Sequence, residues 1–304
     1  MCFGGIENAR MLLYFNRKYN NKLGNQYDNV GRYFMDHPTM KPAQLFTQDN
    51  DLFKDNSQKV ESFNVIRFIQ LTEDALRKHR TTNLRMPPIP ANSYQLSDGI
   101  SSFHILKQAI HDGEYPDDFS THIGNIFSDI DMVVEAVSRK SFDTKLFDNA
   151  GEFEGFELNI MMEQGPHRNN RVKLGNETDQ FGIPRVEIDW ELKDDDIERL
   201  WRSLAVLGKE VGMLSIGRLR ILKEQSSRLF HDQMGFGHHH MGTTRMSTCE
   251  KEGVVDKHQK VFGTNNFYIS GCSVFTTGGH VPPTLTIVAL SIRLAQHIIG
   301  NQYG

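Results

Sequence analysis

The spacing of apolar residues changes period along this chain, and that change excludes both an all-helical and an all-strand fold. In Phe63, Val65, Arg67 and Ile69, in Phe156, Leu158, Ile160 and Met162, and in Val186-Glu187-Ile188-Asp189-Trp190, the pattern repeats every second residue. Half-buried antiparallel strands have that signature. The three runs are expected to share one sheet. From Asp194 to Met213 the period lengthens, with Ile197, Leu200, Trp201, Leu204, Leu207 and Val211 on one helical face and Asp194 to Asp196 at the positive end of the helix dipole. Ile6, Ala9 and Leu13 mark a helix near the start, and Leu285, Val288, Ile292, Ala295 and Ile299 mark one near the end. The last helix is expected to bury that face, because Val288, Ile292 and Ala295 would otherwise form a large exposed apolar patch. The polar stretch from about 81 to 121 contains Pro87-Pro88-Ile89-Pro90 and Asp98-Gly99 and reads as loop with short helices. These periods predict a mixed, α+β fold.

The 304 residues, 38% apolar and 24% charged, suffice for a substantial core in about two domains. A net charge of -4, with scattered Lys and Arg, gives no basic field for nucleic acid. Cys2, Cys249 and Cys272 are an odd number at unrelated spacings, which fits neither a disulfide framework nor a CxxC metal site and points to a reducing, cytoplasmic compartment. No apolar run approaches the roughly 18 residues of a membrane span, and Met1 to Gly5 lacks the regions of a secretion signal.

Candidate chemistry lies at both ends. Gly4-Gly5 before a helix permits close backbone approach beside free N–H groups. In Gly235-Phe236-Gly237-His238-His239-His240-Met241-Gly242-Thr243-Thr244-Arg245-Met246, an imidazole among small residues suits a general base, although a lone histidine is more often structural. A metal site built on His231 and His238 to His240 is disfavoured, since adjacent side chains cannot all face one ion. Phe267 to Ser270 reads as a strand ending in small residues that suit a flat cofactor, and Pro282-Pro283-Thr284 opens the final helix, whose first N–H groups favour an anion.

The order of motifs resembles that of glucose-methanol-choline (GMC) oxidoreductases: His-x-x-Gly-Thr-x-Arg-Met at 239–246, Val-Val-Asp at 254–256, Gly-x-Ser-Val-Phe-x-Thr at 271–277 and Pro-Thr-Leu-Thr at 283–286. Gly4-Gly5-Ile6-Glu7-Asn8-Ala9-Arg10 and Gly31-Arg32-Tyr33-Phe34-Met35-Asp36-His37-Pro38 support it, with looser matches at Met162-Glu163-Gln164 and Arg171 to Leu174. The resemblance implies FAD in a partial Rossmann-like domain, formed by residues 1–42 and 234–304, and a substrate domain at 43–233 with a mainly antiparallel sheet and flanking helices. It implies oxidation of a small alcohol or sugar-like substrate to a carbonyl, with hydride passed to flavin N5 and His239 as the base. His238 and His240 become structural residues. Gly4, Gly5, Gly271 and Cys272 would lie along the cofactor, and Pro283 and Thr284 by the pyrimidine edge of its ring.

Two departures qualify the resemblance. Pro282 stands where the family carries His or Asn, and a proline offers no side-chain donor or acceptor; His280, two residues earlier, is the candidate substitute. No Gly-x-Gly-x-x-Gly follows a strand near the N-terminus. The chain is therefore expected to be a fragment, completed by an upstream polypeptide and binding FAD weakly alone, or else a non-catalytic remnant or binding protein.

Overall fold

The computed structural model describes residues 1–47, 49, 52–53, 57–92, 96–113, 115–116, 118–142, 153–223, 230 and 234–303. The central strand is β1 (Pro38–Thr47), and its sequence explains its irregularity. Pro42 cannot donate to a neighbour, and the pairing of β1 with β6 (Phe153–Met162) shifts register between Met40 and Ala43, around that residue. On its other side β1 pairs antiparallel with β9 (Gly217–Ile221) and, at its start, with β10 (Gly235–Phe236). β4 (Leu84–Arg85) and β5 (Pro88–Asn92) complete the six-stranded sheet by pairing with β6.

Two local hairpins stand apart. β2 (Ser57–Val60) pairs only with β3 (Phe63–Ile66), and β7 (Arg171–Thr178) only with β8 (Pro184–Asp189). The three alternating runs thus lie in three different sheets, not one. Alternation reports that one face is buried, whereas the short turns at Glu61-Ser62 and 179–183 decide the partner locally.

The helices divide similarly between foresight and surprise. α1 (Gly5–Asn16) and the helix at Asp194–Met213 form where the periodicity places them. The 81–121 stretch is more ordered than expected. Pro88 and Pro90 sit in β5, which pairs only with β6 among the described strands, so that a missing N–H on the other side costs nothing. α2 (Glu73–His79) precedes this stretch, and α3 (Asp98–Asp112), α4 (Phe119–Ser128) and α5 (Ile130–Phe142) follow β5. Ser97 accepts from Ile100 N at 3.1 Å and so caps α3, whose 15 residues end at left-handed Gly113. The Phe267–Ser270 strand shrinks to a bridge between Lys260 and Tyr268.

With those helices named, Asp194–Met213 is α6, and it packs Leu200, Trp201, Leu204, Leu207 and Val211 against Leu45, Phe156, Leu158 and Met162 of the sheet. Each such side chain contributes about 1.5–3 kcal/mol when fully buried. The helix is pinned at its start by Asp196, which is fully buried and accepts from Gly165 N, His167 Nε2 and Arg199. A second core joins Ala9 and Leu12 of α1 to Val172 of β7 and to Val254, Val255, Val261, Ile269 and Val274.

The final helix, α7 (Thr284–Tyr303), rests on this second core by the face opposite to the expected one. Leu290 and Leu294 point inward, Ser291 Oγ meets Ser270 Oγ at 2.8 Å, and the Leu290 carbonyl accepts from Gln259. Leu285, Val288 and Ile292 are exposed, Leu285 by 82%. Apolar periodicity located the helix; the serine and backbone hydrogen bonds orient it. No helix among the described residues is long and apolar enough to cross a membrane.

Candidate active site

The six-stranded sheet continues past its own edge into the site. Thr39 faces Gly235 and Pro38 faces Phe236, and further along Met35 and Met241 exchange both backbone hydrogen bonds, at 3.1 and 2.9 Å. Between these two pairings the run Gly235–Met241 is two residues longer than the run Met35–Thr39 that it faces. The excess must bulge, and it does so through His238 in the left-handed region at φ 55°. The bulge turns His239 toward His37, while Gly237 N–H donates to the His37 carbonyl at 2.8 Å.

Asp36 holds both sides of this bulge. Its Oδ1 accepts from His37 N at 2.7 Å and from His239 N at 2.8 Å, and its Oδ2 lies 3.6 Å from His240 Nε2. His37 Nδ1 and His239 Nδ1 are 3.0 Å apart, with the rings edge to face. His37 Nε2 lies 3.2 Å from the Gly278 carbonyl, and Gly279 N–H donates to Glu163 Oε1 at 3.0 Å, so the 278–279 loop is tied at two points. Burial first, opposed by neighbouring groups, holds both histidines below their ordinary pKa, with Arg85 adding to the effect. His37 is fully buried and His239 partly so. At neutral pH both rings are neutral. Arg85 Nε is buried and has no hydrogen-bond partner among the described residues.

The remaining site residues separate into groups. Gly5 lies against the chain itself, since a Cβ there would come within 1.8 Å of the His240 carbonyl oxygen, whereas Gly4 faces open space. Gly271, at φ 122°, adjoins Phe3, and Cys272 Sγ donates to the His240 carbonyl at 3.1 Å. Burial pushes the Cys272 thiol up, so it stays protonated. Asn8 joins these pieces, donating to the carbonyls of Phe3 and Ser270 and to Ser273 Oγ. Gly4, Gly5, Gly271 and Cys272 therefore form one cluster around the uncapped start of α1.

Pro283 is buried and Thr284 exposed at the head of α7, and among the described residues that turn makes no hydrogen bond to His239. His280 bonds Gln70 Oε1 at 3.1 Å and meets the Phe68 ring. The nitrogen that bonds His239 comes from His37, not from His280. His238 and His240 line a cleft with Phe34, Asp36, Ile188, Trp190 and Phe236. His231 lies outside the described residues, among which no group of three or more potential ligands is arranged to hold a metal ion.

Sequence reading missed His37 and Asp36 as site residues. Both lie in a motif that it singled out, Gly31 to Pro38, but nothing in their spacing says that they meet a histidine some 200 positions away. That motif is laid directly on the other: Gly31 N–H donates to the Thr243 carbonyl, and the Arg245 guanidinium sits 4.7 Å over the Tyr33 ring.

Residues 166–291 match the family model described as GMC oxidoreductase. A C-glycoside 3-oxidase of Arthrobacter globiformis is 30% identical over 146 residues, 46% of this chain and 26% of that protein. Paromamine 6'-oxidase of Streptomyces fradiae is 26% identical over 147 residues, 47% and 25% of the two chains. 2-Methyl-1,2-propanediol dehydrogenase of Mycolicibacterium austroafricanum is 29% identical over 150 residues, 48% and 26%. Among solved structures, pyridoxine 4-oxidase from Mesorbium loti superposes with a TM-score of 0.50 at 13% identity, covering 97% of this chain and 50% of that one. The chain thus spans about half of that structure, and the matched part is about a quarter of each curated relative.

Proposed function

We propose that this chain, whose residues 166–291 match the GMC oxidoreductase family model, contributes the proton-accepting side of an FAD-dependent oxidoreductase acting on CH–OH donors, with an alcohol or sugar-like substrate. The relatives' names, an oxidase of C-glycosides and a dehydrogenase of a diol among them, support that substrate class. The single observation that carries the reading is His239. Its imidazole is held neutral by burial, and its backbone N–H is anchored to the buried Asp36 carboxylate, inside the stretch where the family match falls.

The cluster at the start of α1 fits the cofactor. Gly4 is open, Gly271 adopts a conformation that side chains avoid, and α1 begins with no side-chain cap, so backbone can approach a flat or phosphate-bearing group closely. Gly4, Gly271 and Cys272 would hold it on this side; Pro283 and Thr284 remain candidates at the second helix start. Bound flavin would supply the two-electron acceptor that amino-acid side chains lack. The rest falls to the chain. His239 takes the proton from the substrate hydroxyl, which raises electron density on oxygen and eases loss of hydride from carbon. The Arg85 charge, close enough to depress His239, His37 and His280, adds positive potential where the alkoxide develops. Residues 1–42 and 234–304 then serve the cofactor and 43–233 the substrate.

Pro282 favours a second reading, a binding protein without turnover, because it removes the side chain with which the family pairs its base. One experiment separates the two. Titrate the purified chain with FAD, following flavin absorbance, and assay dye reduction with a panel of alcohols, polyols and glycosides. Dye reduction by wild type that falls about 10²-fold or more in His239→Gln supports the enzyme. Turnover unaffected by that substitution, or none with any donor despite bound flavin, defeats it.

A further inference from the structure

We infer that His37 is a positioning residue that fixes the tautomer of His239 and so leaves its Nε2 free to take the substrate proton; the inference rests on the reading of His239 as the base. The geometry admits one proton arrangement. A carbonyl oxygen only accepts, so the 3.2 Å contact between His37 Nε2 and the Gly278 carbonyl requires a proton on Nε2. Burial keeps that ring neutral, which leaves its Nδ1 as a bare acceptor. The facing nitrogen, His239 Nδ1 at 3.0 Å, must then donate. In a neutral imidazole the other nitrogen, Nε2, consequently carries the lone pair, and it has no protein partner among the described residues. The opposite arrangement would set two lone pairs against each other at Gly278.

The same relay suits the step itself. As the substrate O–H bond breaks and the Nε2–H bond forms, His239 becomes a cation while its Nδ1–H still points at the His37 lone pair. Nothing in the network has to reorient. The Asp36 carboxylate, bonded to both backbone N–H groups, keeps the rings opposed, and the second tie, Gly279 to Glu163, keeps the Gly278 carbonyl in place.

The test reads the proton directly. Long-range 1H–15N correlation of the 15N-histidine-labelled full chain at neutral pH, with His239→Gln for assignment, should show His239 protonated at Nδ1, opposite to the preference of a free neutral imidazole. His37→Asn places an amide oxygen near the lost Nδ1 and should retain that form, whereas His37→Phe should return His239 to the Nε2–H form. With bound flavin, His37→Phe should lower kcat by about 10²-fold or more with KM nearly unchanged, and His37→Asn should restore most of it. An Nε2–H form of His239 in the wild type, or an Nδ1–H form that survives His37→Phe, overturns the inference. The wild-type spectrum needs neither a variant nor flavin. Absence of turnover with the Nδ1–H form intact would instead fault the proposed reaction.

Discussion

At the residue scale the site is governed by three depressed protonation states. His37, His239 and His280 are all held below the ordinary 6.5, burial being the largest cause in each. The folded chain therefore binds fewer protons than the unfolded chain once the pH drops through that value, so their stabilisation is complete above about 6.5 and declines below it. Asp28 and Asp179, lowered by arginine partners against the cost of their burial, act in the same sense but only in the carboxylate range. The urea midpoint should consequently be lower at pH 5.5 than at pH 7.5, and a flat profile across that interval would show that the rings are not guarded. His239 was legible in the sequence because one spacing, His-x-x-Gly-Thr, carries it. His37 was not, because a hydrogen bond between residues so far apart is created by the antiparallel run of 35–38 against 235–241. His280 was singled out for proximity in sequence to Pro282, and in the fold its ring meets Gln70.

At the element scale the instructive feature is the bulge. Its unequal strand lengths leave His238 at φ 55°, a conformation that costs a side-chain-bearing residue roughly 1 kcal/mol. His238→Gly should relieve that cost and leave the thermal midpoint unchanged or slightly raised, while β-branched His238→Val should lower it by several degrees, as read by differential scanning calorimetry. Equal midpoints in the two variants would show that the turn carries no strain. Helices α1, α6 and α7 were legible because 3.6-residue periodicity identifies a helix without reference to anything else. Sheet membership was not: alternation in β3, β6 and β8 is the same whether a strand joins a central sheet or closes on a neighbour two residues away. Prolines at 88 and 90 read as breakers only while the edge position of β5 is unknown.

At the scale of the whole molecule the two apolar cores divide the labour, one around the sheet and α6, the other around α1 and the segments from Val254 to Val274. The orientation of α7 on the second core is the largest departure from expectation. Since Ile292 is 55% exposed, Ile292→Lys should change folding stability by no more than about 0.5 kcal/mol, whereas Leu294→Ala on the inward face should cost about 2–5 kcal/mol. Denaturant titration of the two variants distinguishes this orientation from the one read from the sequence, which reverses the ranking. His37 stands in the chain between Phe34 of the second core and Met40 of the first, and its ring meets that of His239, which follows β10. A molecule that grips both histidine rings would therefore act as a staple across a seam: the energy with which it binds is also energy that the two halves must surrender before they part.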